Sequence, residues 1–163
     1  MVAHKFVCDE MLQGLGRWLR AAGYDTLIAS NGEHDAALLR LARREGRLFV
    51  TRDRALLATH RHLADLIILL AANDMPACAA ELTRRCDLDW CKAPFSRCLL
   101  CNTPLQVLRA GQRELVDDQV PDDVGSTGRP VLYCPACRKA YWEGGHVRRM
   151  RARLQGFQRG EWQ

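Results

Sequence analysis

The chain has 163 residues, 48% of them hydrophobic, so it can bury a core and disorder is not the expected state. No apolar run approaches the roughly 20 residues that cross a bilayer. The opening "MVAHKFVCDE" lacks the apolar centre of a secretory signal, so a cytoplasmic protein without a membrane partner is expected. Net charge is +5 and unevenly placed: residues 1–95 carry 13 Lys and Arg against 12 Asp and Glu, residues 96–163 carry 11 against 7, which points to a polyanionic partner.

In chain order, "KFVCD" (5–9) reads as a short buried strand. Residues 15–23 follow as a helix, with Leu15, Trp18, Leu19 and Ala22 at helical spacing and Gly23 to end it. A second strand is expected over 25–30, a helix over 33–46 closed by Gly46, and a third strand over 47–51. A short helix over 53–60, a fourth strand over 64–70 and a helix over 75–86 with Pro76 in its first turn complete the series. Four strand–helix units predict an α/β fold, a parallel sheet flanked by helices. The pattern breaks near residues 87–98, and a boundary near 94 divides a core over 1–93 from a cysteine-bearing part over 94–163.

In an open parallel sheet the carboxyl ends of the strands form the functional edge. Asp9 ends the first strand, Asp53 follows the third, and Asp35 opens the helix after the second. Three like charges converging there repel, and burying them unpaired is costly. Mg²⁺ or Mn²⁺, which prefer oxygen ligands, remove that cost and can activate water for attack on a phosphodiester. Plainer roles stand beside this: Asp35 favours a helix start and Asp53 can cap the next helix. Asp9 has no such simple role. Asp74 is a fourth candidate but better read as the cap of the helix at Pro76. Glu10 backs Asp9 or faces solvent, Thr51 can orient a ligand, and Arg52, Arg17 and Arg20 can meet phosphates.

"CLLC" (Cys98, Cys101) and "CPAC" (Cys134, Cys137) form two C-x-x-C pairs separated by 32 residues. Four thiolates so paired suit structural Zn²⁺, although the gap exceeds the usual spacing of about 15–20. Within that gap residues 104–116 are expected to form a hairpin and 121–130 a loop. Zinc would explain how so short a segment stays folded, and the bound site's −2 charge lowers the basic excess of this part. A dithiol redox role is the alternative. Cys8 reads as a core residue; Cys78, Cys86 and Cys91 show no ligand spacing.

Beyond the second pair, Tyr141, Trp142 and His146 interleave with Arg148, Arg149, Arg151 and Arg153. Aromatics that stack on bases and arginines that meet phosphates fit RNA. The same stretch reads as a basic helix packing Val147, Met150 and Leu154 on the body of the protein.

The segments "FVCDEMLQGLGRWLRAAGYD", "DAALLRLARREGRLFVTRD", "SRCLLCNTPL" and "CPACRKAYWEGGHVRRM" occur in that order. Together they resemble the Mut-seven C-terminal RNase domain family, PIN-like nucleases with an appended zinc ribbon, over about residues 5–155. The resemblance implies metal-dependent ribonuclease activity, with the family's acids falling on Asp9, Asp35 and Asp53 and its zinc ligands on Cys98, Cys101, Cys134 and Cys137. The expected partner is RNA, with DNA a further candidate. The second reading is a non-catalytic RNA-binding module acting on tRNA or the ribosome.

Overall fold

A computed structural model describes residues 4–30, 32–126 and 128–161. Strands β1 (Lys5–Cys8), β2 (Asp25–Ile28), β3 (Leu48–Thr51) and β4 (Ile67–Leu69) form one parallel sheet in the order β2-β1-β3-β4. Helices α1 (Gln13–Ala21), α2 (Asp35–Glu45), α3 (Arg54–Thr59) and α4 (Met75–Cys86) follow the strands in turn. The expected α/β class therefore holds, with the four strands slightly shorter than their hydrophobic patterns, α1 shifted two residues toward the N-terminus and α4 at its expected bounds.

The alternation of side chains along a strand sorts the core into two layers. Phe6, Cys8 and Val50 face α1 and α4, packing with Leu15, Leu19, Ala79 and Leu82. Val7, Phe49 and Ile67 face the opposite way, onto Leu38, Leu39 and Ala42 of α2 and Leu56 of α3. Sheets covered on both faces need strands apolar throughout, which is why these carry so few polar residues. Gly16 lets α1 approach closely: a Cβ there would lie 2.6 Å from Ile28 Cγ1. Gly23 (φ +97°) ends the same helix, and its bare α-carbon admits the Ala93 carbonyl.

Residues 87–97 are packed rather than linker-like. The Phe95 and Ala93 N–H groups donate to Ala21 and Ala22 carbonyls at the end of α1, and Trp90 is wholly buried. The cysteine-bearing part has a small antiparallel sheet of β5 (Gln106–Val107), β6 (Leu132–Tyr133) and β7 (Ala140–Tyr141). The hairpin expected over 104–116 is corrected: β5 pairs with β6, because the alternating stretch ends after two residues and a tight turn over Arg113–Leu115 replaces the return strand. A short helix, α5 (Asp122–Ser126), occupies the expected loop, of which Thr127 lies outside the described residues.

The chain ends in α6 (Gly145–Gln158), which returns to the first sheet. Leu154 and Phe157 sit in the same cluster as Phe6 and Trp90, with Val147 and Met150 packed against it. Phe157 meets Trp90 and Trp18 edge-on, at ring-centroid distances of 5.1 and 5.4 Å. The basic segment is thus an anchored helix with an arginine-rich outer face. Among the described residues no helix is long and apolar enough to cross a membrane.

Candidate active edge and four-cysteine centre

The strand order reverses between β1 and β3, the neighbours of the topological switch point where open α/β sheets bind ligands. Asp9 follows β1 and Asp53 follows β3, so the two acids flank that point. Thr51 joins them. Its hydroxyl donates to Asp9 Oδ2 at 2.6 Å and accepts the Asp53 N–H at 2.9 Å. Asp53 Oδ1 caps α3 through the Ala55 N–H at 2.8 Å, and its second oxygen has no partner among the described residues. Asp9 Oδ1 accepts the Met11 N–H at 3.3 Å and so caps the turn Glu10–Leu12, a role its sequence context did not announce.

Asp35 stands exposed at the first residue of α2, where His34 is the capping residue. It shares the carboxyl side of the sheet but not the Asp9–Thr51–Asp53 chain. Among the described residues no three carboxylates have oxygens within 4.8 Å of one another. Asp74 caps α4 through the Ala77 N–H at 2.9 Å, and Glu10 is exposed.

On one side of this edge Arg52 donates to the Asn73 carbonyl at 2.9 Å, while its buried Nε has no partner among the described residues. It lines a cavity of about 90 Å³ with Met11, Asp74 and Met75. On the other side a groove of about 500 Å³ runs past Gln13 and exposed Arg17 to Leu100. Arg20, expected beside Arg17 on nucleic acid, is 5% exposed. Its guanidinium is spent on the carbonyls of Thr26 (2.8 Å), Leu99 (3.0 Å) and Leu100 (2.8 Å), which corrects that reading: it is a clamp inside the protein.

The four cysteines converge as expected. Their sulfurs all lie within 4.8 Å of one another, with Cys98–Cys137 and Cys101–Cys134 at 3.4 Å and Cys101–Cys137 at 3.8 Å. Tetrahedral zinc with Zn–S bonds of ~2.3 Å sets sulfurs about 3.8 Å apart, so the donor set fits that ion. The two knuckles are built alike. Asn102 and Arg138, each following the second cysteine, are left-handed (φ 69° and 59°), and their N–H groups return to the Cys98 and Cys134 carbonyls at 2.9 Å. Burial raises the Cys101 thiol, but hydrogen bonds with Thr103, Cys134 and Cys98 outweigh it and bring the pKa down to about 6. That thiol is poised to become a ligand.

Tyr141, also expected on nucleic acid, is 8% exposed. Its hydroxyl accepts the Leu99 N–H at 3.0 Å and lies 3.2 Å from Cys98 Sγ, so it supports the knuckle and its ring is not free to stack. Trp142 is half-buried between cavities of about 180 and 220 Å³. His146, Arg148 and Arg149 are exposed on α6.

A second polar group escaped sequence reading. Asp25 accepts from Arg47 and from Asn102 Nδ2, both at 2.7 Å, and Arg97 approaches at 3.8 Å. Asn102 Oδ1 in turn accepts the Thr26 N–H at 3.0 Å. The signal was an Asn directly after a metal-type cysteine pair, at a position that needs positive φ.

The chain is similar to the human protein named exonuclease mut-7 homolog, 47% identical over 49 residues, which is 30% of this chain and 6% of that protein. No solved structure matches. The model of the Mut7-C RNAse domain matches residues 4–154, nearly the whole chain, and the protein belongs to that nuclease family.

Proposed function

We propose that the chain is a Mg²⁺- or Mn²⁺-dependent ribonuclease, with residues 1–93 as the catalytic core and residues 94–163 as a zinc ribbon that helps hold RNA. The observation that carries this reading is the Asp9–Thr51–Asp53 chain across the switch point of the sheet. Its donors are oxygens alone, the set that suits Mg²⁺ or Mn²⁺. When bound, such an ion supplies charge for a phosphoryl oxygen and lowers the pKa of a water.

Asp9 and Asp53 hold the cation, and Asp35 adds a third carboxylate from the β2 side. Thr51 fixes the Asp9 carboxylate with its hydroxyl proton and the start of α3 with its oxygen. Arg52 and Arg17 meet phosphates on either side. Zn²⁺ on Cys98, Cys101, Cys134 and Cys137 is structural, since four thiolates leave no open position. Trp142, His146, Arg148 and Arg149 extend the RNA contact along α6. The eight free cysteines suit a reducing, cytoplasmic setting.

The test is end-labelled single-stranded RNA incubated with purified protein and Mn²⁺, with and without chelator. Cleavage should require Mn²⁺ and vanish in Asp9→Asn and Asp53→Asn while RNA binding persists. Wild-type protein that binds RNA but never cuts it would instead favour the non-catalytic binding module, which the exposed, unlinked Asp35 supports. Cutting that survives chelator and both substitutions would refute the assignment.

A further inference from the structure

We propose that the groove between α1, the end of β2 and the first cysteine knuckle is the subsite for the nucleotide next to the cleaved phosphate of single-stranded RNA, with Leu100 as its outer wall. This rests on the ribonuclease reading and assigns its substrate a direction across the protein. The groove holds about 500 Å³, within the range of small-molecule sites. Its floor is Ile28 to Ser30, and the Ala29 N–H bonds to the carbonyl of Cys8, the residue before Asp9. A nucleotide seated there lies one strand from the carboxylate edge. The cavity on the Arg52 side, about 90 Å³, is too small for one.

The lining carries the chemistry. Arg17 and Arg20 contribute positive charge and, among the described residues, no carboxylate lines the groove, the Glu33 carboxylate beside it accepting the Ser30 N–H at 2.8 Å. Arg17 is exposed and has no hydrogen-bond or ion-pair partner among the described residues, which suits it to meet a phosphate. The side chains of Gln13 and Ser30 donate no hydrogen bond among the described residues and are open to sugar hydroxyls or base edges. Leu100 is 59% exposed, among the few large apolar side chains left in solvent. It is not loose: Arg20 grips its own carbonyl and that of Leu99, and Asn102 pins the same knuckle to β2. An apolar side chain on a backbone so fixed, beside an exposed arginine, offers one surface to a sugar or base face and another to its phosphate. The ribbon thus completes the substrate site itself.

The test uses the full zinc-loaded chain carrying Asp53→Asn, a fluorescein-labelled RNA of about ten nucleotides, and anisotropy. Arg17→Gln should weaken binding tenfold or more, and Leu100→Ser about fivefold, with zinc content and melting temperature unchanged. Leu100→Trp should tighten binding severalfold, because a stacking ring replaces an aliphatic wall. Weakening in Arg17→Gln and Leu100→Ser with tightening in Leu100→Trp supports the groove even where the wild-type chain cuts nothing, an outcome that would sink only the nuclease reading. All three variants keeping the parent's Kd would overturn the groove, whether or not the wild-type chain cleaves with Mn²⁺.

Discussion

Arg17 and Arg20 lie one turn apart on α1 and look equivalent in sequence, but replacing them should have opposite consequences. Arg20→Met deletes three hydrogen bonds from a cation to backbone carbonyls, at 2.8, 3.0 and 2.8 Å. Bonds to charged groups are worth about 1.5–3 kcal/mol each, and part of that returns as the carbonyls find water. A loss of about 4 kcal/mol follows, a large share of the 5–15 kcal/mol typical of a domain. Arg20→Lys should recover little, because one ammonium cannot fork between β2 and two knuckle carbonyls. Urea unfolding followed by tryptophan fluorescence reads the stability, since Trp90 is fully buried. Hydrogen exchange at Thr26 reads the local opening. Arg17→Met should leave stability within about 0.5 kcal/mol while lowering the salt dependence of RNA binding. The reasoning fails if Arg20→Met costs less than about 1 kcal/mol with the Thr26 amide still protected.

Tyr141→Phe removes a hydroxyl bonded to the Leu99 N–H and beside Cys98 Sγ; zinc affinity in chelator competition should fall about tenfold or more. Gly16→Ala puts a methyl 2.6 Å from Ile28 Cγ1, so the chain should lose about 1–3 kcal/mol in denaturant titration unless α1 moves outward. Burial raises the Asp25 carboxyl, but hydrogen bonds from Arg47 and Asn102 prevail and hold it below the usual carboxylate range. Its contribution is therefore complete above the unfolded value of about 3.9 and is lost as pH falls through the lower folded value. At saturating zinc, the stability gap between wild type and Asp25→Asn should stay constant from pH 8 to 5 and close only below about pH 4. A gap that closes between pH 7 and 5 would contradict this.

Local pattern made the first sheet legible. Val7 between Phe6 and Cys8, and Phe49 beside Val50, declare strands buried on both faces, and Gly46 (φ 62°) closes α2 where its spacing ends. The four sulfurs were legible because C-x-x-C is a local motif whose two halves need only meet. Arg20 was not legible: a helix arginine facing a distant loop has the same sequence context as one facing water. The place of Phe157 was written in the spacing of Val147, Met150, Leu154 and Phe157, which keeps one helix face apolar to the end of α6. Asp9, Asp53 and Asp74 all cap the element that follows them, so a terminal aspartate carries two meanings at once. Only the Thr51 bridge, a contact between residues 42 apart in sequence, distinguishes Asp9 and Asp53 from Asp74.

The ribbon also solves a problem the sheet creates. β2 is an edge strand, and an open edge presents unpaired N–H and C=O groups that invite pairing with another chain. At Thr26 both outward groups are satisfied by side chains: Asn102 accepts the N–H at 3.0 Å and Arg20 donates to the carbonyl at 2.8 Å. One comes from the knuckle, and the other also grips it, so edge protection and knuckle docking are a single set of bonds. Asn102 holds its left-handed φ of 69° inside the knuckle turn that the cysteines close. Loosening that turn would release the Thr26 N–H, the Asp25 contact and the wall at Leu100 together. The order of the four sulfurs is therefore linked through Asn102 to Asp25 and Thr26 of β2, the strand paired with the β1 that Asp9 follows.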